Sequence, residues 1–283
     1  MPARPYILAE TTWNTVRETA YEVAILPWGA TEAHNYHLPY ATDTIQCDHI
    51  VAEAARLAWV AGARVMVLPT VPFGVQTGQL DIPFCLNLDP STQTLVLGDI
   101  ARSLEGQGIR KLVILNGHGG NDFRATIREL QPQLDILLCM TSWYQVVDPS
   151  DYFDDLGDHA GEMETSIMLH VEPLLVRPLS EAGDGTERRF RIAAFREGWA
   201  WAPRRWTKVS ADTGIGNPRA ATREKGERYI TAVVERLSRF LVDLAAADPD
   251  DLYEQEPTTA PASFRRSLGV SGPGRDEERP DGQ

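Results

Sequence analysis

EVAILPWGATE, residues 22–32, opens as an apolar run and ends in a small-residue turn carrying a carboxylate. A run without polar alternation suits a strand buried on both faces. Downstream, residues 44–62 carry Ile45, Ile50, Val51, Ala54, Ala55 and Ala58 at helical spacing, with Gly62 as a stop. RVMVLPTVP (64–72) reads as a second strand, and Ser91 as the cap of a helix ending at Gly106. KLVIL (111–115) is a third strand, residues 121–130 are helical, and DILLCMTS (135–142) is a fourth strand. Strands alternating with helices predict an α/β fold with a mostly parallel central sheet covered on both faces.

The second half is less regular. Residues 160–171 read as a helix, 181–218 as a long irregular segment, and 219–247 as one long helix. A single domain over 1–247 is expected, followed by a Pro- and charge-rich tail, 248–283, too poor in apolar residues to offset its ordering entropy and so disordered or draped.

The chain has 283 residues and a formal net charge of −13. Such acidity gives no global field for nucleic acid or an anionic membrane. Nine acidic and four basic residues lie from Asp248 onward, so part of the excess belongs to the tail. Cys47, Cys85 and Cys139 form no CxxC pair, and Cys85 and Cys139 read as small core residues. With neither a signal-peptide core nor a membrane-length apolar run, a cytoplasmic protein is expected.

Ligand sites in open parallel sheets gather beyond the carboxyl ends of the strands. After the first strand come Glu32, His34, His37 and Asp43. Glu, His and Asp together suit a divalent transition metal, although Asp43 could instead cap a helix and the histidines could serve the loop. After the third strand, NGHGGN (116–121) places His118 among glycines that permit a tight turn. DHAGEMETS (158–166) crowds His159, Glu162 and Glu164 at a helix start, where carboxylates are also favoured by the helix dipole. DTGIGNPRAATREKG (212–226) reads as structural.

WGATEAHNYHLPYATDT, LNGHGGN and HAGEMETS, in this order, resemble the creatininase (creatinine amidohydrolase) superfamily over residues 22–226. The resemblance implies a three-layer α/β/α sandwich with two divalent metal ions (Zn, Mn or Fe). Glu32, His34, Asp43 and His118 match ligand positions, with Asp43 bridging. Members that open creatinine carry a glutamate two residues after the motif histidine; here that position is Gly120. Glu162 is inferred to replace it, with Glu164 as the alternative. His159 matches the proton-transfer histidine. QTGQLDIPFCLNL (76–88) stands where many members carry Phe-Pro-Gly-Thr. The match is therefore closer to the NGHGGN/HAGE-type members than to creatininase proper.

The implied activity is a metal-dependent amidohydrolase that cleaves a C–N bond, other than a peptide bond, of a small-molecule amide. A metal-bridged hydroxide would attack the carbonyl. His159, with Glu162, would be catalytic, His159 donating the proton to the leaving nitrogen. Gly119, Gly120, Trp143, Tyr144 and His37 are candidate substrate contacts, and the Trp199, Trp201 and Trp206 group is a further candidate to line or cover the pocket. The alternatives are a maturase of a small precursor peptide and a binding or scaffold relative without turnover. Family resemblance also implies a homo-oligomer, often a hexamer.

Overall fold

The computed structural model describes residues 4–254. The expected tail, 248–283, lies mostly outside the described residues. Four parallel strands, β1 (Val23–Trp28), β2 (Val65–Val67), β3 (Lys111–Asn116) and β4 (Leu137–Ser142), form one sheet in the order β2-β1-β3-β4. The helices are α1 (Trp13–Arg17), α2 (Thr42–Val60), α3 (Pro90–Gly106), α4 (Phe123–Leu130), α5 (Glu162–Val171), α6 (Ala193–Arg196), α7 (Trp206–Val209) and α8 (Arg223–Ala246).

Alternate residues of the central strands feed two cores. Val23, Ile25, Val113 and Leu115 pack with Ile50, Val51 and Ala54 of α2 and Val233, Leu237 and Leu241 of α8. Ala24, Leu26, Trp28, Leu112 and Ile114 pack with Leu97 and Ala101 of α3 and Phe123 and Leu130 of α4. The result is a three-layer α/β/α sandwich. Successive strand residues point to opposite faces, and both faces here are apolar.

Two local expectations are corrected. β2 pairs over three residues only, because Pro69 has no N–H to continue a ladder. Ser91 does not cap α3: Asp89 precedes the helix, and Pro90 supplies its first turn with a pre-set φ. Thr222, by contrast, caps α8 by accepting from the Lys225 N–H (3.2 Å). At the other end of α8, the buried Lys111 ammonium donates to the carbonyls of Leu244, Ala245 and Ala247 at 2.8–2.9 Å. These are the carbonyls that a helix end leaves without intrahelical partners.

β1 and β3 lie side by side, with Trp28 opposite Asn116. The segments that follow both strands therefore emerge together at one edge of the sheet.

Candidate metal centre

Glu32 and His34 follow β1, Asp43 lies in the first turn of α2, His118 follows β3, and His159 and Glu164 bracket the start of α5. The fold brings these six side chains together. Three overlapping groups, Glu32–His34–His159, Glu32–Asp43–His118 and His34–Asp43–Glu164, each place their ligand atoms within 4.8 Å of one another. Asp43 precedes no helix and is not its cap; Ala41 holds that position.

Each histidine is oriented by a backbone carbonyl. Nδ1 of His34 donates to the Glu32 carbonyl (3.1 Å), Nε2 of His118 to Val75 (3.0 Å), and Nε2 of His159 to Ala33 (2.8 Å). A carbonyl can only accept, so the proton of each neutral ring sits on that outer nitrogen. The inner nitrogens then carry lone pairs: Nε2 of His34 and Nδ1 of His118 and His159. His34 Nε2 lies 3.0 Å from Asp43 Oδ1, and His118 Nδ1 lies 3.1 Å from Asp43 Oδ2. His118 Nδ1 is also 2.8 Å from Glu32 Oε1. Asp43 thus offers one oxygen toward each histidine, and Oδ2 is buried with no hydrogen bond of its own.

Burial alone would push the His34 and His118 imidazoles down. The surrounding carboxylates overcome it: Asp43, Glu164 and Glu32 hold His34 up at about 10, and Glu32 with Asp43 hold His118 well above its usual value. For Glu32, burial opposes ionisation, but His118, His159 and His34 keep it well below the usual carboxylate range. Burial raises Glu164. Two buried carboxylates, Glu32 and Asp43, and the half-buried Glu164, facing inward lone pairs, fit divalent cations, which would take the place of the protons.

Glu162 stands elsewhere. Its Oε2 accepts from the N–H groups of Asp154 (2.9 Å) and Asp155 (2.8 Å), and Lys225 Nζ closes on its Oε1. The structure therefore brings Glu164, not Glu162, to the cluster. Glu164 Oε2 also accepts from the Ala160 N–H (2.5 Å). Ala160 sits at φ 51°, a left-handed turn between His159 and α5 that points both His159 and Glu164 inward.

Residues 212–226 support this turn. Ile215 exchanges backbone hydrogen bonds with His159 (2.8 and 3.0 Å), and buried Asp212 accepts from Ser210 Oγ and from the Gly214 and Gly185 N–H groups. In NGHGGN, Asn116 Oδ1 accepts from the His118 N–H and from Asn121 Nδ2, and Asn121 Oδ1 accepts from the Val75 N–H. Gly117 leaves no room for a side chain, since a Cβ would lie 2.2 Å from Cys47 Sγ.

A cavity of about 850 Å³ opens over the cluster. Gly119, Gly120, Tyr144, Trp201 and Trp206 line it; His37 and Trp143 do not. His37 is fully buried against Thr165, and Trp143 belongs to the core under α2 and α8, so neither fits the substrate contact expected of it. Trp199 is exposed. Two residues without a sequence signal also stand here: Gln79 reaches Glu32, and Arg204, paired with Asp158, stacks on Trp206 at the rim. A polar loop glutamine and one arginine among many have no periodicity or spacing that would single them out.

The family Creatininase: Creatinine amidohydrolase matches residues 9–241. The Pseudomonas putida creatinine amidohydrolase is 30% identical over 83% of this chain and 96% of its own. The mycofactocin precursor peptide peptidase of Mycobacterium tuberculosis is 28% identical over 77% of this chain and 85% of its own. A Bacteroides fragilis crystal structure, provisionally described as a creatinine amidohydrolase, is 48% identical with a TM-score of 0.83, covering 88% of this chain and 99% of that one. Creatininase solved with Mn is 26% identical with a TM-score of 0.71, covering 86% and 100%; a Zn–Zn form also matches. The nested motifs, the three-layer sheet and these similarities converge: the chain belongs to the creatininase family.

Proposed function

We propose that this hydrolase cleaves the C–N bond of an amide at a two-metal centre, with Glu32, Asp43 and His118 holding one ion and His34, Asp43 and Glu164 the other. The observation carrying this reading is the orientation of His34 and His118. Each turns its protonated nitrogen outward to a carbonyl and its lone pair toward one oxygen of Asp43. Two divalent ions so held supply Lewis-acid polarisation of the amide carbonyl and hydroxide at neutral pH. His159 Nδ1, 3.8 Å from Glu32 Oε1, is the nitrogen that would take up a proton and pass it to the leaving nitrogen. The Ala33 carbonyl keeps that nitrogen facing the cavity. Glu162 anchors the start of α5 and touches nothing that reacts.

Small amides are the first substrate class. A second reading, a short peptide, is favoured by the cavity volume, which falls in the upper part of the range that encloses drug-sized ligands. Purified protein should hold close to two equivalents of Zn, Mn or Fe, and His34→Ala and Asp43→Ala should lose both metal and turnover. Retention of metal by these variants would refute the centre. Mass spectrometry of metal-loaded protein with creatinine, other small amides and short peptides separates the substrate classes. We also propose a homo-oligomer, to be measured by light scattering.

A further inference from the structure

We propose that Gln79 is a positioning residue that fixes Glu32 as a one-oxygen metal ligand, and that Cys85 sets the direction in which its amide points. This rests on the reading of Glu32 as a ligand.

The loop between Gly74 and Leu88 folds back over the segment after β1. Leu88 N–H donates to Gly74 (2.8 Å), Leu86 N–H to Thr31 (3.1 Å), and Gln76 Nε2 to Thr31 (3.1 Å). Within this loop the Gln79 side chain is buried against Glu32, and its Nε2 donates to Glu32 Oε2. The opposite carboxylate oxygen, Oε1, faces His118 Nδ1 and His159 Nδ1. One oxygen is therefore engaged by an amide and the other is left toward the cluster.

An amide can present oxygen or nitrogen, and a neighbour decides which. Cys85 Sγ accepts from the Ala33 N–H (3.3 Å) and lies 3.2 Å from Gln79 Oε1. With its acceptor side engaged by Ala33, the thiol turns its S–H to Oε1, and Nε2 must then face Glu32. Burial pushes the Cys85 thiol up, so it remains a donor at neutral pH. Cys85 is thus more than the small core residue expected. Carboxylates that ligate metals are commonly held by such outer hydrogen bonds, whose loss costs ten- to a hundredfold in metal affinity.

The test is metal affinity of the full chain, stripped and then titrated with Zn²⁺ against a chromogenic chelator, beside steady-state kinetics. Gln79→Met should weaken one of the two ions by about 10- to 100-fold and lower kcat with little change in KM. Cys85→Ser, which can still accept and donate, should stay within about twofold. Cys85→Ala should lose a few-fold, and adding it to Gln79→Met should cost nothing more. Wild-type metal affinity in Gln79→Met overturns the proposal, as does equal loss in Cys85→Ser and Cys85→Ala. Should Gln79→Met fail to fold, the two Cys85 variants decide alone, since Cys85 does not line the cavity. Glu32→Ala separates the layers. If it keeps both ions, the ligand reading fails; if it loses one while Gln79→Met does not, the positioning role alone fails.

Discussion

Lys225 of α8 closes on Oε1 of the fully buried Glu162, and so carries the first turn of α5 on the last helix. The two glutamates of that turn therefore face different surroundings, Glu162 toward Lys225 and Glu164 toward the cluster. Glu164→Ala should lose one metal ion and more than about 100-fold in activity, beyond what outer-shell changes produce. Glu162→Gln should keep its metal and cost about 2 kcal/mol of stability, between the values for exposed and buried pairs because Lys225 is partly solvated. Elemental analysis and urea unfolding of the two variants check both halves.

His37 should give the protein acid sensitivity. Burial, aided by His34, holds its imidazole down at about 4. Unfolded, it titrates near 6.5. As pH falls below 6.5 the unfolded chain takes up the proton first, so stability is lost between about 6.5 and 4 and the loss levels off below. Relative to wild type, His37→Gln should flatten the stability profile across that window by up to about 3 kcal/mol. Denaturant melts of both proteins from pH 7 to 4 measure it; parallel profiles would refute it.

Two adjacent glycines should respond differently. A Cβ on Gly119 meets nothing within 4 Å, whereas on Gly120 it would lie 2.2 Å from the Val75 carbonyl and 2.5 Å from His118 Nε2. That carbonyl holds the His118 ring. Gly120→Ala should lower metal affinity at least about tenfold, as outer-shell disruption does, and Gly119→Ala should leave it unchanged. The same crowding accounts for the lack of a glutamate at this position: the loop through Val75 occupies its space.

Lys111→Met should destabilise the fold by about 2–3 kcal/mol, through three helix-end carbonyls left without their charged donor. Activity per folded molecule should not change. Thermal unfolding beside initial rates checks this.

The four strands and the motifs carrying the candidate ligands were legible because each is a contiguous run. An apolar strand followed at once by Glu32 and His34, or by His118, announces a site at the end of a parallel sheet. The choice between Glu162 and Glu164 was not legible. Positions two apart on a helix differ by about 200° in direction, so only one can face the cluster. Which one depends on how α5 is rotated against α8. That rotation is set where a Cβ on Gly226 would lie 2.0 Å from the Ser166 carbonyl, a contact between distant parts of the chain. Gln79 was invisible for a related reason: its partner, Glu32, is forty-seven positions away, and a lone glutamine carries no pattern. The place of His37 was not legible because its neighbours in sequence, Glu32, His34 and Asp43, join the cluster, while its own ring turns back to Thr165.

Because its candidate ligands reach from Glu32 to Glu164, the proposed centre would exist only in the folded chain, and metal concentration would become a thermodynamic variable of folding. Each tenfold rise in free Zn²⁺ above its dissociation constant should add about 1.4 kcal/mol per bound ion to the unfolding free energy. Stripping the metal should lower the melting temperature, and returning it should restore the melting temperature without added substrate. Metal supply would then set the lifetime of this protein as well as its rate.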